Sequence, residues 1–156
     1  MTTLQAGDQA PHFSGPIETG DTVSLSDFAG KKLILFFYPK DDTPGCTAAA
    51  CSLRDNYREL KEQGYELLGV SPDPVKKHAK FIDKYDFPFH LLADPDHEVM
   101  DAYGVWGKKK FMGREYDGVH RTTFIIDEEG KIAHVFTKVK TKTHAAQIMD
   151  AMGAKV

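Results

Sequence analysis

The chain has 156 residues, 41% hydrophobic and 28% charged, with a formal net charge of −3 at pH 7. That length suits a single domain, residues 1–156, able to bury its own core without metal or disulfide staples. The charge balance gives no footing for nucleic acid, and no apolar stretch reaches membrane-spanning length.

Residues 1–11 lack the basic region and apolar core of a secretory leader, so the expected address is cytoplasmic, where thiols stay reduced. Along the chain, residues 9–24 carry Pro11, Gly15, Pro16 and Gly20 between short apolar stretches, the pattern of a small hairpin. Residues 33–38 form a continuous apolar run, as expected of a strand buried on both faces. An alanine-rich helical pattern covers 44–63 and stops at Gly64. Residues 66–71 predict a strand, Asp73-Pro74 opens a helix to Tyr85, and 87–92 predict a short strand. Asp94-Pro95-Asp96 starts a helix ending near Gly104. The basic run Lys108-Lys109-Lys110 reads as a solvated loop. Two strands, 121–127 and 131–136, flank the turn Glu128-Glu129-Gly130, and a last helix covers 143–152. This order predicts an α/β, thioredoxin-like three-layer sandwich with a central mixed sheet and an N-terminal hairpin extension.

The chemistry centres on Cys46 and Cys51, the only cysteines. Pro39 cannot donate to a ladder and forces the chain out of its strand. Thr43 then suits an N-cap and Pro44 the first helical position. Cys46 falls in the first turn, near free N–H groups and the positive end of the helix dipole. The dipole contributes only about 0.3–1 kcal/mol, so activating a thiol at neutral pH calls for a cation as well. Arg121, at the head of the strand 121–127, is the candidate, against the plainer reading of a surface salt bridge. The Thr43 hydroxyl stands three residues before the sulfur, suited to a polar substrate there.

Five helical residues rise about 7.5 Å and leave Cα atoms roughly 8.6 Å apart on different faces. A disulfide needs about 7 Å or less. The pair therefore cannot bond while the helix is intact, and the segment reads as a two-state element, helical when reduced and a loop when oxidised.

The stretch Tyr38-Pro39-Lys40-Asp41-Asp42-Thr43-Pro44-Gly45-Cys46 resembles the peroxiredoxin active-site pattern Pro-x-x-x-Thr-x-x-Cys. With Cys51 five residues on, the chain resembles the bacterioferritin-comigratory, or Q-type, subfamily. The likeness extends to Ala10-Pro11-His12-Phe13, Leu25-Ser26-Asp27-Phe28, Gly104-Val105-Trp106-Gly107 and Tyr116-Asp117-Gly118-Val119-His120-Arg121.

The resemblance implies a thiol peroxidase for hydrogen peroxide and organic hydroperoxides, serving antioxidant defence and redox homeostasis. In that scheme Cys46 is the peroxidatic cysteine and forms a sulfenic acid. Cys51 is the resolving cysteine and closes an intramolecular disulfide, and thioredoxin is the reductant. Pro39 shields the sulfur, Thr43 hydrogen-bonds peroxide, and Arg121 stabilises thiolate and transition state. No cofactor is implied, and with the resolving thiol in the same chain a monomer is expected. One departure stands out: where many peroxiredoxins carry an acidic residue, or in this subgroup Glu or Gln, three positions after the peroxidatic cysteine, this chain has Ala49.

The seven histidines are scattered, with no metal-ligand spacing on one predicted helix face. Two other classes compete with the enzyme. A thioredoxin-fold copper-delivery protein would use two cysteines and a histidine, and a non-catalytic binding domain would carry inert thiols.

Overall fold

The computed structural model describes residues 2–153. The chain opens with a two-stranded antiparallel hairpin, β1 (Ser14–Pro16) and β2 (Thr22–Ser24). Next come β3 (Lys32–Phe37), α1 (Pro44–Asp55), α2 (Tyr57–Glu62), β4 (Tyr65–Ser71), α3 (Val75–Tyr85), β5 (His90–Ala93) and α4 (Glu98–Tyr103). Then follow β6 (Trp106–Phe111), β7 (Arg114–Val119), β8 (Thr122–Ile126), β9 (Ile132–Phe136) and α5 (His144–Ala151).

The central sheet has the order β5-β4-β3-β8-β9. β3 pairs parallel to β4 and antiparallel to β8, so the sheet is mixed. The apolar run of β3 explains the layering, because successive side chains of a strand face opposite ways. Ile34, Phe36 and Tyr38 join one buried cluster with residues of α1, α2, α3 and α5. Leu33, Leu35 and Phe37 join a second with residues of α4 and the N-terminal segment. A strand with water on neither face carries no polar alternation, as predicted for 33–38.

Three expectations need correction. The helix predicted over 44–63 breaks at Asn56 (φ −113, ψ 14). There the side-chain Nδ2 donates to Ser52 O (2.8 Å), a local bond that competes with the helical ladder. The run Lys108-Lys109-Lys110 is not a loop but part of β6, paired antiparallel with β7 outside the central sheet. Most of that hairpin is exposed, so no apolar alternation announces it, and its turn uses Met112 (φ 52) and Gly113 (φ 80). Finally, the strand predicted at 87–92 pairs only over His90–Ala93, while Phe87 and Phe89 pack in the first cluster.

Candidate active site

The chain leaves β3 with Tyr38 N–H still donating to Val70 O (3.0 Å), and Pro39, which has no N–H, ends the ladder. Asp42 turns the backbone in the left-handed region (φ 59), its carboxylate held by Lys84 Nζ (2.7 Å) and Tyr85 OH (2.8 Å). Thr43 is the N-cap of α1 and Pro44 follows at the first turn, as their order predicts. The Thr43 hydroxyl does not cap the helix, however. It donates to Lys40 O at 2.9 Å, so its proton is committed and only its lone pairs remain for another partner.

The first bond of the helical ladder runs from Thr47 N–H to Thr43 O (2.8 Å), with the Gly45 and Cys46 amides ahead of it. Cys46 lies in this turn and is 3% exposed. Arg121 Nη2 donates to its Sγ at 3.3 Å. Sheet register brings the two together: Thr122 pairs with Phe37, so the start of β8 lies beside the end of β3, from which α1 departs. A guanidinium cannot give up its charge, so a fixed cation stands against the sulfur. The second terminal nitrogen, Nη1, is buried and has no hydrogen-bond partner among the described residues.

Gly45 makes the contact possible. A Cβ there would stand 3.2 Å from Arg121 Nη2, so a side chain obliges the guanidinium to give by a few tenths of an ångström. Gly45→Ala should slow reactions of the Cys46 thiol by up to about tenfold through this displacement. Its thermal midpoint should hold or rise, because alanine favours a helix. Paired thiol-reactivity assays and melting curves check both.

Behind the sulfur is a cavity of about 10 Å³ bounded by Tyr38, Cys46, Ala49, Arg121, Thr123 and His144. Larger depressions, such as one of about 290 Å³ beside the lysines of α3, contain no thiol. The His144 ring is fixed by a chain of bonds. Gln147 Nε2 donates to Lys138 O (2.8 Å), and Gln147 Oε1 accepts Lys140 N–H (2.9 Å). That oxygen also meets His144 Nδ1 (3.0 Å), which must therefore carry a hydrogen; Nε2 is left to accept the Thr123 hydroxyl (2.9 Å). Burial, helped by the Arg121 charge, holds His144 below the ordinary histidine value and keeps the ring neutral. Sequence reasoning missed both residues. Thr123 was legible, standing two residues after Arg121 and so on the same sheet face; His144 arrives from a distant helix.

Cys51 lies farther along α1, half-buried against the first core cluster. Burial pushes its thiol up, with Arg54 opposing part of the effect. Both cysteines are free, and the unbroken helix between them holds the sulfurs apart. Beyond Cys51 the helix is anchored, since Ser52 Oγ accepts Ala145 N–H (3.0 Å) and Arg54 Nη1 donates to Tyr85 O (2.8 Å). Thus Cys46, Arg121 and the Thr43 turn converge, Pro39 stands half-buried at the loop start, and Cys51 is held apart. Among the described residues no three His, Cys, Asp or Glu side chains gather as a metal-ligand set. No helix among them is long and apolar enough to cross a membrane.

The AhpC/TSA family model matches residues 6–135. A putative peroxiredoxin bcp of Haemophilus influenzae is 53% identical over 150 residues, covering 96% of this chain and 97% of its own. Peroxiredoxin Bcp of Escherichia coli is 51% identical over 144 residues, 92% of each. Among solved structures, the Xanthomonas campestris bacterioferritin comigratory protein superposes with a TM-score of 0.87 at 32% identity, covering 96% of this chain and 98% of that one. Its structures, a trapped intermediate and ligand complexes, concern alkyl peroxide reduction activity.

Proposed function

The chain belongs to the AhpC/TSA family as a peroxiredoxin of the Bcp and PrxQ kind, a peroxidase, and from that membership we propose a working cycle for its two thiols. The Cys46 thiolate attacks one oxygen of a hydroperoxide. The O–O bond breaks, sulfur is oxidised to sulfenic acid, and the leaving oxygen departs with a proton as water or an alcohol. The contact that carries this reading is Arg121 Nη2 on Cys46 Sγ at 3.3 Å.

Each neighbour has a part set by its hydrogen-bonding capacity. Thr43, its own proton committed to Lys40 O, accepts from the peroxide hydroxyl. Arg121 Nη1, buried and unpartnered among the described residues, donates to the oxygen on which charge builds. Pro39 shields the sulfur from water. Hydrogen peroxide and alkyl hydroperoxides are the substrates, the latter in line with the X. campestris relative.

The first turns of α1 then unwind as far as Cys51, short of the anchors at Ser52 and Arg54. Cys51 sulfur displaces hydroxide from the Cys46 sulfenic acid, water leaves, and an intramolecular disulfide forms. Thioredoxin returns both sulfurs to thiols, its own dithiol being oxidised in exchange. The protein works without a cofactor, as one domain and as a monomer, in the cytoplasm.

Intact mass after one equivalent of hydrogen peroxide tests the cycle. The wild-type chain should lose two hydrogens and both free thiols. Cys51→Ser should gain one oxygen instead, and its turnover with thioredoxin should fall at least about tenfold. Cys51→Ser cycling at the wild-type rate would remove Cys51 from the mechanism.

The resolving step should also respond to pH. Burial raises Cys51 in the folded helix, and unwinding removes that burial, so the unwound state loses the proton first. The preference for the folded turns is full below the ordinary thiol value and weakens as pH rises through it towards the raised folded value. Stopped-flow traces should therefore show disulfide closure accelerating across that window.

A further inference from the structure

Beneath the loop that leads to Cys46 lies a buried polar cluster that the cycle above does not use. Asp41 Oδ1 accepts the Tyr38 hydroxyl at 2.5 Å, and Asp41 Oδ2 lies 2.6 Å from His78 Nδ1. The His78 side chain is 0% exposed and that of Asp41 is 3% exposed. On the far side of the ring, Nε2 lies 3.0 Å from Leu92 O in β5. Asp41 N–H donates to Asp73 Oδ2 (2.7 Å), which also accepts the Ser71 hydroxyl (2.7 Å). Lys77 Nζ stands 3.5 Å from Asp73 Oδ1. The charged and titratable groups facing the pair are Tyr38 just after β3, Asp73 before α3, Lys77 and, along the depression that Asp41 lines, Asp42, Lys80 and Lys84.

Hydrogen-bond roles here are forced. A carbonyl oxygen only accepts, so His78 Nε2 carries a hydrogen. The short Nδ1···Oδ2 contact then needs one proton, on the imidazole or on the carboxyl, because none would set two lone pairs against each other. Tyr38 keeps its own proton: burial, then the neighbouring Asp41, pushes it well above the ordinary tyrosine value. The pair is thus a unit with a fixed number of hydrogens, nearly closed to solvent.

We propose that Asp41 and His78 are positioning residues for the Cys46 centre, a buried pair sharing one proton that fastens the loop from Pro39 to Thr43 onto β5 and α3. The pair reaches the sulfur by two routes. It holds the Tyr38 ring, which forms one wall of the cavity behind Cys46. It also fixes Asp41 in the five-residue approach to Cys46, whose next residue, Asp42, is tied to α3 through Lys84 and Tyr85. With the loop fastened at both residues, α1 can unwind and refold while its starting point stays in register with Arg121. The assignment rests on Cys46 being the sulfur that meets peroxide.

Substitutions that separate hydrogen-bond count from charge test it. Asp41→Asn keeps an acceptor for Tyr38 and supplies an N–H to a neutral His78; Asp41→Ala supplies neither. Asp41→Ala should lower kcat/KM for peroxide at least about tenfold, in proportion to displacement of the loop. Asp41→Asn should recover at least about half of wild-type kcat/KM. Equal activity in all three chains would overturn the proposal, and so would equal loss in both variants, which would make charge rather than hydrogen count decisive.

Should Asp41→Ala not fold, nitrogen-15 spectra of wild-type His78 decide. A protonated Nε2 that exchanges slowly with water is expected, and an unprotonated Nε2 would overturn the assignment. Peptide mass analysis of the peroxide-treated wild type separates the two readings. If Cys46 is not the oxidised sulfur there, the site itself is misread; if it is, failure of the Asp41 series falls on the pair alone.

Discussion

Replacing Cys46 by serine takes peroxide turnover down by at least about 10³-fold, to whatever a lone Cys51 thiol supplies. A serine hydroxyl is barely ionised at neutral pH and cannot be oxidised to the counterpart of a sulfenic acid, so neither step of the cycle survives. The remaining thiol does not substitute for it. Burial holds Cys51 up, which leaves less thiolate to attack, and no guanidinium touches its sulfur in the way Arg121 touches Cys46. The variant should fold normally, since serine occupies nearly the same volume at the start of α1. A coupled peroxidase assay beside a far-ultraviolet spectrum checks both halves. Turnover near that of the wild type would remove Cys46 from the chemistry.

Arg121→Ala is the second large effect. In the proposed cycle the guanidinium does two things at once: Nη2 holds the sulfur in place, and Nη1 meets the charge building on the peroxide oxygen. Loss of one donor at such a site costs about 10²–10³-fold in rate. We expect kcat/KM for peroxide to fall by about 10²-fold. Arg121→Lys should recover only part of the loss, because an ammonium is a point charge without the fork that serves sulfur and peroxide together. An unchanged kcat/KM in Arg121→Ala would remove the 3.3 Å contact from the chemistry.

Most of the sheet and the start of the site were legible because local chemistry and the fold agree there. The apolar run ending at Tyr38, the break at Pro39 and the order Thr43-Pro44 mark strand, loop and helix start without any tertiary information. Arg121 stood out as a charge at the head of a buried strand. What escaped depends on residues meeting from afar. Gly45 looks like a helix-start glycine until Arg121 is placed 3.2 Å from its missing Cβ. His144 reaches the cavity only because α5 packs back onto the sheet beside Thr123. Asp41 and His78 are separated by 37 residues, and neither carries a local sign of pairing. The hairpin of β6 and β7 escaped for the opposite reason: exposed on most of its surface, it has no buried face to stamp an alternating pattern on Lys108-Lys109-Lys110. Ala49 was noticed as a departure, and the structure places Thr123 and His144 with it around the cavity behind the sulfur.

The order in which the two sulfurs are oxidised bears most directly on whether Cys46, anchored by Arg121 at the start of α1, is the reactive centre. Reduced protein mixed with one equivalent of hydrogen peroxide, acid-quenched on the millisecond scale and mapped by peptide mass should show oxygen on Cys46 first. The Cys46–Cys51 disulfide should follow, together with a loss of far-ultraviolet helix signal. Oxygen appearing first on Cys51, or on both sulfurs at the same rate, would contradict it.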